Sequence, residues 1–144
     1  MNPTGATNTP TEEDLGWFLE RLAEETPSIR HVLVLSGDGF KMAFTSGLDE
    51  TTADQMSAVV AGIQSLGGGA SELFGDGTGG ARAIIEFGGG FLLSVPAGEG
   101  AHLAVVADEK SEVGLLAHRM DEAMEQIGRL LTARARNTQH GGQQ

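Results

Sequence analysis

The chain has 144 residues, the length of one domain, and a domain of this size can bury about 70% of the surface its unfolded form exposes. Nine Lys and Arg stand against 20 Asp and Glu, a formal charge of −11, which argues against nucleic acid or anionic lipid as the main partner because both need clustered cations. Cysteine is absent, and with it disulfides, thiol nucleophiles, thiolate metal sites and iron–sulfur clusters.

Residues 1–10 are polar and carry neither a basic nor an apolar stretch, so they are expected as a disordered tail and not as a targeting signal. No apolar run is long enough for direct membrane insertion, and a cytoplasmic address is the default expectation. Residues 11–136 read as a single domain and residues 137–144 as a second disordered tail.

The first helix is expected from Thr11, which with Asp14 has the spacing of a capping box, to Pro27. Leu15, Phe18, Leu19 and Leu22 form its apolar face. Val32 to Leu35 is an unbroken apolar strand, suited to cover on both faces. Ser36-Gly37-Asp38-Gly39 is a turn, and Phe40 to Thr45 returns as an edge strand carrying Lys41.

A long helix follows from about Asp49 to Phe74, with no charge from Gln55 to Ser71. A helical wheel puts Met56, Val59, Val60, Ile63, Leu66, Ala70 and Phe74 on one arc, expected to face the core. Ala58, Ala61, Gly62, Ser65 and Gly69 fill the opposite arc, and all are small. Each glycine inside a helix costs about 1 kcal/mol relative to alanine. Close approach of a second helix is the simplest compensation for Gly62 and Gly67-Gly68-Gly69.

Three more strands are expected. Ala81 to Phe87 has Arg82 and Glu86 on one face, Phe91 to Val95 is nearly all apolar, and His102 to Ala107 is apolar after its first residue. A last helix from about Ser111 carries the stripe Val113, Leu116, Met120, Met124, Ile127 and Leu131. The apolar strands should be central and the charged ones edges. With hairpin connections, the simple solution is an α/β sandwich: a five-stranded antiparallel sheet of order 2-1-5-4-3, in the sequence α-β-β-α-β-β-β-α, with helices on both faces.

Residues for chemistry are sparse. Gly75, Gly77 and Gly80 satisfy G-x-G-x-x-G, but after a helix and before a strand, the reverse of a dinucleotide site. His31 and His102 start antiparallel neighbouring strands and so should not meet; one partly buried and one solvated imidazole are expected. No histidine pair has metal-ligand spacing, and no serine lies in a nucleophile elbow. The carboxylates Glu12, Glu13, Asp14, Asp108 and Glu109 suit the starts of helices. Arg119, Arg129, Arg134 and Arg136 read as a solvated helix face, or as a patch for an acidic partner. No catalytic residue, cofactor site or metal site is assigned.

The stretch from Val32 to Phe40 with its S-x-D-G turn, the small-residue helix from Ala53 to Gly69, and the strands Ala83-Ile84-Ile85-Glu86 and Leu103 to Ala107 together resemble the Roadblock / dynein light chain family. The match runs from Thr11 to Arg134 and is strongest to bacterial, actinomycete-type members. The resemblance implies a profilin-like roadblock fold and a homodimer. In that dimer the third strands join two sheets into one and the middle helices pack together. The interface would hold Ala58, Ala61, Gly62, Ser65 and Gly69, with Ala81, Arg82, Ala83, Ile84 and Ile85 of the third strand. It also implies a non-enzymatic signalling module for a small Ras-like GTPase, without a catalytic arginine. A membrane histidine-kinase-like protein is a further implied partner, and peripheral membrane association through partners follows from it. The rival reading is a small-ligand sensor of the PAS or profilin-like type, which needs an apolar pocket.

Overall fold

The computed structural model describes residues 12–77, 80–98 and 100–141, with side chains for 14–77, 80–98 and 100–133. The elements are α1 (Glu12–Glu25), β1 (Ile29–Ser36), β2 (Lys41–Phe44), α2 (Glu50–Phe74), β3 (Ala83–Phe87), β4 (Gly90–Pro96), β5 (Ala101–Asp108) and α3 (Val113–Gly141). All five strands form one antiparallel sheet of order β2-β1-β5-β4-β3. This is the order read from charge: β2 with Lys41 and β3 with Glu86 are the edges.

The central strands are covered on both faces, which is why they alternate so little. Val32 and Val34 of β1 point with Leu103 and Val105 of β5 into a core closed by α1 and α3. Leu33 and Leu35 point the other way, with Leu92 and Ala104, against Ala53, Met56 and Val60 of α2. Full burial of such a side chain stabilises by roughly 1.5–3 kcal/mol, so the two cores together outweigh any surface contact.

Local chemistry sets the boundaries. The Ser36 N–H donates to the Phe40 carbonyl at 2.8 Å, Ser36 Oγ bonds the Asp38 carboxylate, and Gly39 has φ +92°, which closes the β1–β2 turn as its residues suggested. Asp49 caps α2 by accepting from the Thr52 N–H at 2.7 Å. The Thr11 cap expected for α1 lies outside the described residues, as does the N-terminal tail.

Several boundaries differ from expectation. β1 begins at Ile29, because pairing with β5 extends ahead of the apolar run. β3 begins at Ala83 rather than Ala81. α3 continues through residues 137–141, expected as part of a disordered tail; after Gly128 nothing breaks a helix before Gly141.

The imidazoles also differ. His31 and His102 sit at opposite ends of the β1–β5 ladder, opposite Val106 and Leu35, so they do not meet. Both, however, are half-buried, and the Nδ1 atom of each is buried without a hydrogen-bond partner. Burial pushes the pKa of each below the usual histidine value, helped at His31 by the charge of Arg30.

Candidate interaction surface

α2 has 25 residues, a length of about 37 Å, whereas an eight-residue strand spans only about 26 Å. The helix therefore outruns the sheet. Its buried residues are Ala53, Met56, Ser57 and Val60, all in the first half. Beyond them the sheet-facing positions are Gln64 and Gly67. Gln64 Nε2 donates to the Ala81 carbonyl at 3.1 Å and to Ser94 Oγ at 2.6 Å, tying α2 to the entry of β3 and to β4. A Cβ on Gly67 would lie 2.7 Å from the Cβ of Ala81.

That contact corrects one expectation. Gly67 is needed for close approach of this chain's own β3 entry, not of a second helix. Gly62, Gly68 and Gly69 have nothing within 4 Å of an added Cβ, so within the protomer their cost is uncompensated.

The core arc read from the wheel is corrected as well. Val59 (54% exposed), Leu66 (78%), Phe74 (87%) and Ala70 lie outside the core, together with Leu73 (76%), which the wheel left unassigned. Successive helical residues turn by about 100°, so contacts on one side of α2 fix the other. Lys41 Nζ of β2 lies 2.5 Å from Asp54 and 3.4 Å from Glu50, and Ala61 lies over Gly39. Glu50, Asp54 and Ala61 thus mark the flank facing β2. Val59, Ile63, Leu66 and Ala70 lie on the opposite flank, facing β4 and the free edge of β3. Ala58, Ser65 and Gly69 point outward and toward the β2 side, and Gly62 lies between the two sets. Val59, Gly62, Leu66, Gly69 and Leu73 follow a three–four spacing, the seam a second helix can track.

β3 continues this uncovered surface. Ala81 and Ala83 are half-buried, but Arg82, Ile84 (55% exposed), Ile85 and Phe87 are exposed. Ala83 and Ile85 pair with Ser94 and Leu92, so they share the α2 face of the sheet, with Phe87. Ile84 pairs with Leu93 and lies on the α3 face, with Arg82, whose guanidinium bonds Asp121 of α3. Of the expected α2 residues, Gly62 and Gly69 lie nearest the β3 side, Ala58 and Ser65 point outward and toward β2, and Ala61 packs over Gly39. Of the expected β3 residues, Ala83 and Ile85 share the α2 face, while Arg82 and Ile84 lie on the α3 face. Sequence reasoning missed Leu73 and misplaced Val59 and Leu66. The length of the helix against that of its sheet was the available signal.

The other sequence features are not brought together into a site. Gly75 donates its N–H to the Ser71 carbonyl and ends α2, Gly77 has φ +72°, and Gly80 packs against Pro96, so the glycine-rich loop serves chain reversal; residues 78 and 79 lie outside the described set. Among the described residues no cluster of His, Asp and Glu could hold a metal. A cleft of about 370 Å³ between α1 and α3 is lined by Trp17, Phe18, Arg119, Glu122 and Gln126. It is rimmed by charge, with the Arg21 guanidinium 5.1 Å from the Trp17 ring centre and 2.8 Å from Glu25, and lies on the outer surface rather than between helix and sheet. Arg129 donates to Gln126 on the exposed face of α3, and the side chains of Arg134 and Arg136 are outside the described set.

The family model for the Roadblock/LC7 domain matches residues 15–107. The chain belongs to the Roadblock/LC7 family. A Roadblock/LC7 domain from Streptomyces avermitilis is 30% identical, with a TM-score of 0.76, covering 81% of this chain and 97% of that one. Myxococcus xanthus MglB has a TM-score of 0.76 at 16% identity, covering 85% and 91%. Profilin IA of Acanthamoeba castellanii matches at 0.52 and 16% identity, covering 78% and 95%, which shows the profilin-like fold alone. Among curated proteins nothing matches. This Roadblock/LC7 chain is thus a regulatory-type domain, and most of the exposed large apolar residues among the described ones lie on α2 and β3, with Trp17, Phe40 and Leu115 elsewhere.

Proposed function

We propose that this Roadblock/LC7 domain is a homodimeric, non-enzymatic module that binds a small Ras-like GTPase and modulates its nucleotide cycle or signalling. One observation carries the dimer: the uncharged strip of Val59, Leu66 and Leu73 on α2 runs on into the exposed, unpaired edge of β3 with Ile84, Ile85 and Phe87. A strip of large apolar residues beside an open strand edge is a liability in a lone protomer. A two-fold copy covers both at once, helix on helix and strand on strand.

Val59, Ile63, Leu66, Ala70 and Leu73 face the partner in this reading. Gly62 and Gly69 border them and let the helix backbones approach, Ala58 and Ser65 form the outer surface beside the seam, and Ala61, packed over Gly39, lies away from it. Ala81 to Ile85 supply the strand contact.

The GTPase enters through the family resemblance, as does a histidine-kinase-like membrane partner. A cytoplasmic address accords with it; among the described residues no helix is long and apolar enough to cross a membrane. The test is a pull-down with purified candidate GTPases loaded with GTP or GDP. Nucleotide-dependent capture is expected; no capture in either state defeats the GTPase reading.

A further inference from the structure

β3 turns into β4 through Gly88 and Gly89, with Phe87 opposite Gly90. In a two-residue hairpin the flanking pair exchanges both backbone bonds, and the pattern then alternates along the strand. Phe87, Ile85 and Ala83 therefore direct their N–H and C=O groups to β4, while Glu86 and Ile84 direct theirs to the open edge. Arg82, one residue before the strand, continues that series.

A second β3 strand related by a two-fold axis must set outward residues against outward residues. Five alignments do so, with the axis at Glu86, at Ile85, at Ile84, at Ala83 or at Arg82. The last opposes two Arg82 guanidiniums, and the one at Ala83 sets Arg82 against the partner's Ile84 and leaves Glu86 opposite the partner's Gly80, ahead of the strand. The first opposes two Glu86 carboxylates, a like-charge pair that destabilises antiparallel strands. The second sets each Glu86 against the partner's Ile84 and leaves Arg82 beyond the paired region. The third sets Ile84 against the partner's Ile84, and Arg82 against the partner's Glu86, on both sides of the axis.

The side chains support the third alignment. Residues 82, 84 and 86 alternate onto one face of the sheet, the α3 face. Arg82 is held on that face by Asp121 yet remains about half exposed. Glu86 is exposed and makes no ion pair among the described residues. Ile84 lies between them with more than half its surface in water. Read along the edge, the order is cation, apolar, anion, which is complementary to itself when reversed.

We infer that β3 joins a second copy of this chain about an axis at Ile84, and that Arg82 and Glu86 make the edge selective for its own sequence run antiparallel. This rests on the dimer reading above. A strand carrying like charge at either position is repelled, so the same pair discriminates against near-copies of the domain.

The experiment uses charge reversal in the full chain, followed by sedimentation and native mass spectrometry. R82E opposes Glu with Glu twice, and E86R opposes Arg with Arg twice. Each alone should self-associate roughly tenfold more weakly than the unchanged chain. Mixed one to one, the two variants should form heterodimers in preference to either homodimer, since both contacts are then opposite in charge. The double variant should recover self-association. R82E also faces Asp121, so E86R, which disturbs no contact within the protomer, guards against a folding defect. In a chain without cysteine, Ile84→Cys should cross-link to its copy under mild oxidation, because opposed residues of such a pair lie about 5.5 Å apart. Glu86→Cys should not, since its copies lie roughly 13 Å apart. Single variants that dimerise like the unchanged chain, a mixture without preference, or cross-linking at residue 86 rather than 84 would each overturn the alignment. An unchanged chain that is monomeric would instead defeat the dimer reading itself.

Discussion

Gly67→Ala and Gly68→Ala are the same chemical change at adjacent positions, and they should move stability in opposite directions. Neither residue has positive φ, so alanine fits the backbone at both. Each substitution gains about 1 kcal/mol of helix propensity. At Gly68 nothing lies within 4 Å of the new Cβ, and the gain is kept. At Gly67 the new Cβ would meet that of Ala81 at 2.7 Å, about 1 Å inside normal contact, and α2 must lift from the entry of β3. Overpacking of this kind costs about 1–3 kcal/mol, so the net effect is roughly 0–2 kcal/mol of destabilisation. The two variants should differ by about 2 kcal/mol, or on the order of 1 M in urea midpoint at unchanged slope. Protomer concentration must be equal throughout, since association shifts apparent stability. Gly68 lies on the Ala61 side of α2, away from β3, so dimer contacts do not confound it. If both variants are stabilised alike, the Gly67–Ala81 contact is not tight. If both are destabilised alike, the glycines serve a helix partner on that side.

Leu66→Glu should leave the protomer's fold intact within about 0.5 kcal/mol, because the side chain is 78% exposed, but should abolish the dimer; circular dichroism with light scattering reads both, and an intact dimer would remove Leu66 from the interface. Gln64→Ala should cost about 1–3 kcal/mol in chemical denaturation, because the Ala81 carbonyl and the buried Ser94 hydroxyl lose their shared partner; a loss below about 0.5 kcal/mol would mean the tie is dispensable. His31 and His102 have folded-state pKa values below the unfolded value of about 6.5, so the unfolded chain binds protons first as pH falls. Stability should be full above about pH 6.5 and decline from there toward the lowered folded values, and H31N/H102N should flatten that decline. A wild-type midpoint that holds or rises between pH 7.5 and 5.5 would contradict this.

The sheet was legible because the charge content of the strands, together with hairpin connections, separates edges from centre. Lys41 sits on β2 and Glu86 on β3, while β1, β4 and β5 hold long apolar runs that only cover on both faces explains. The β1–β2 turn was legible for a local reason: Ser36, Asp38 and Gly39 make their own bonds. What the residues hid is non-local. A wheel treats every turn of α2 alike, but the buried residues end at Val60 and the later sheet-facing positions are Gln64 and Gly67, so Leu66 and Phe74 read as core and stand in solvent. The role of Gly67 depends on Ala81, a residue beyond the loop. His31 and His102 read as one partly buried and one solvated imidazole, yet their places opposite Val106 and Leu35 half bury both. The small-residue arc points outward and toward β2, and only the contacts with Lys41 and Ala81 reveal which flank of α2 adjoins the free edge.

The most direct measurement is the sedimentation equilibrium mass of the purified chain across micromolar concentrations. With the α2 strip and the β3 edge both uncovered in the protomer, the mass should be twice 15.0 kDa. A single well-behaved species of 15.0 kDa, soluble with Leu66, Leu73 and Ile84 open to water, would contradict the account.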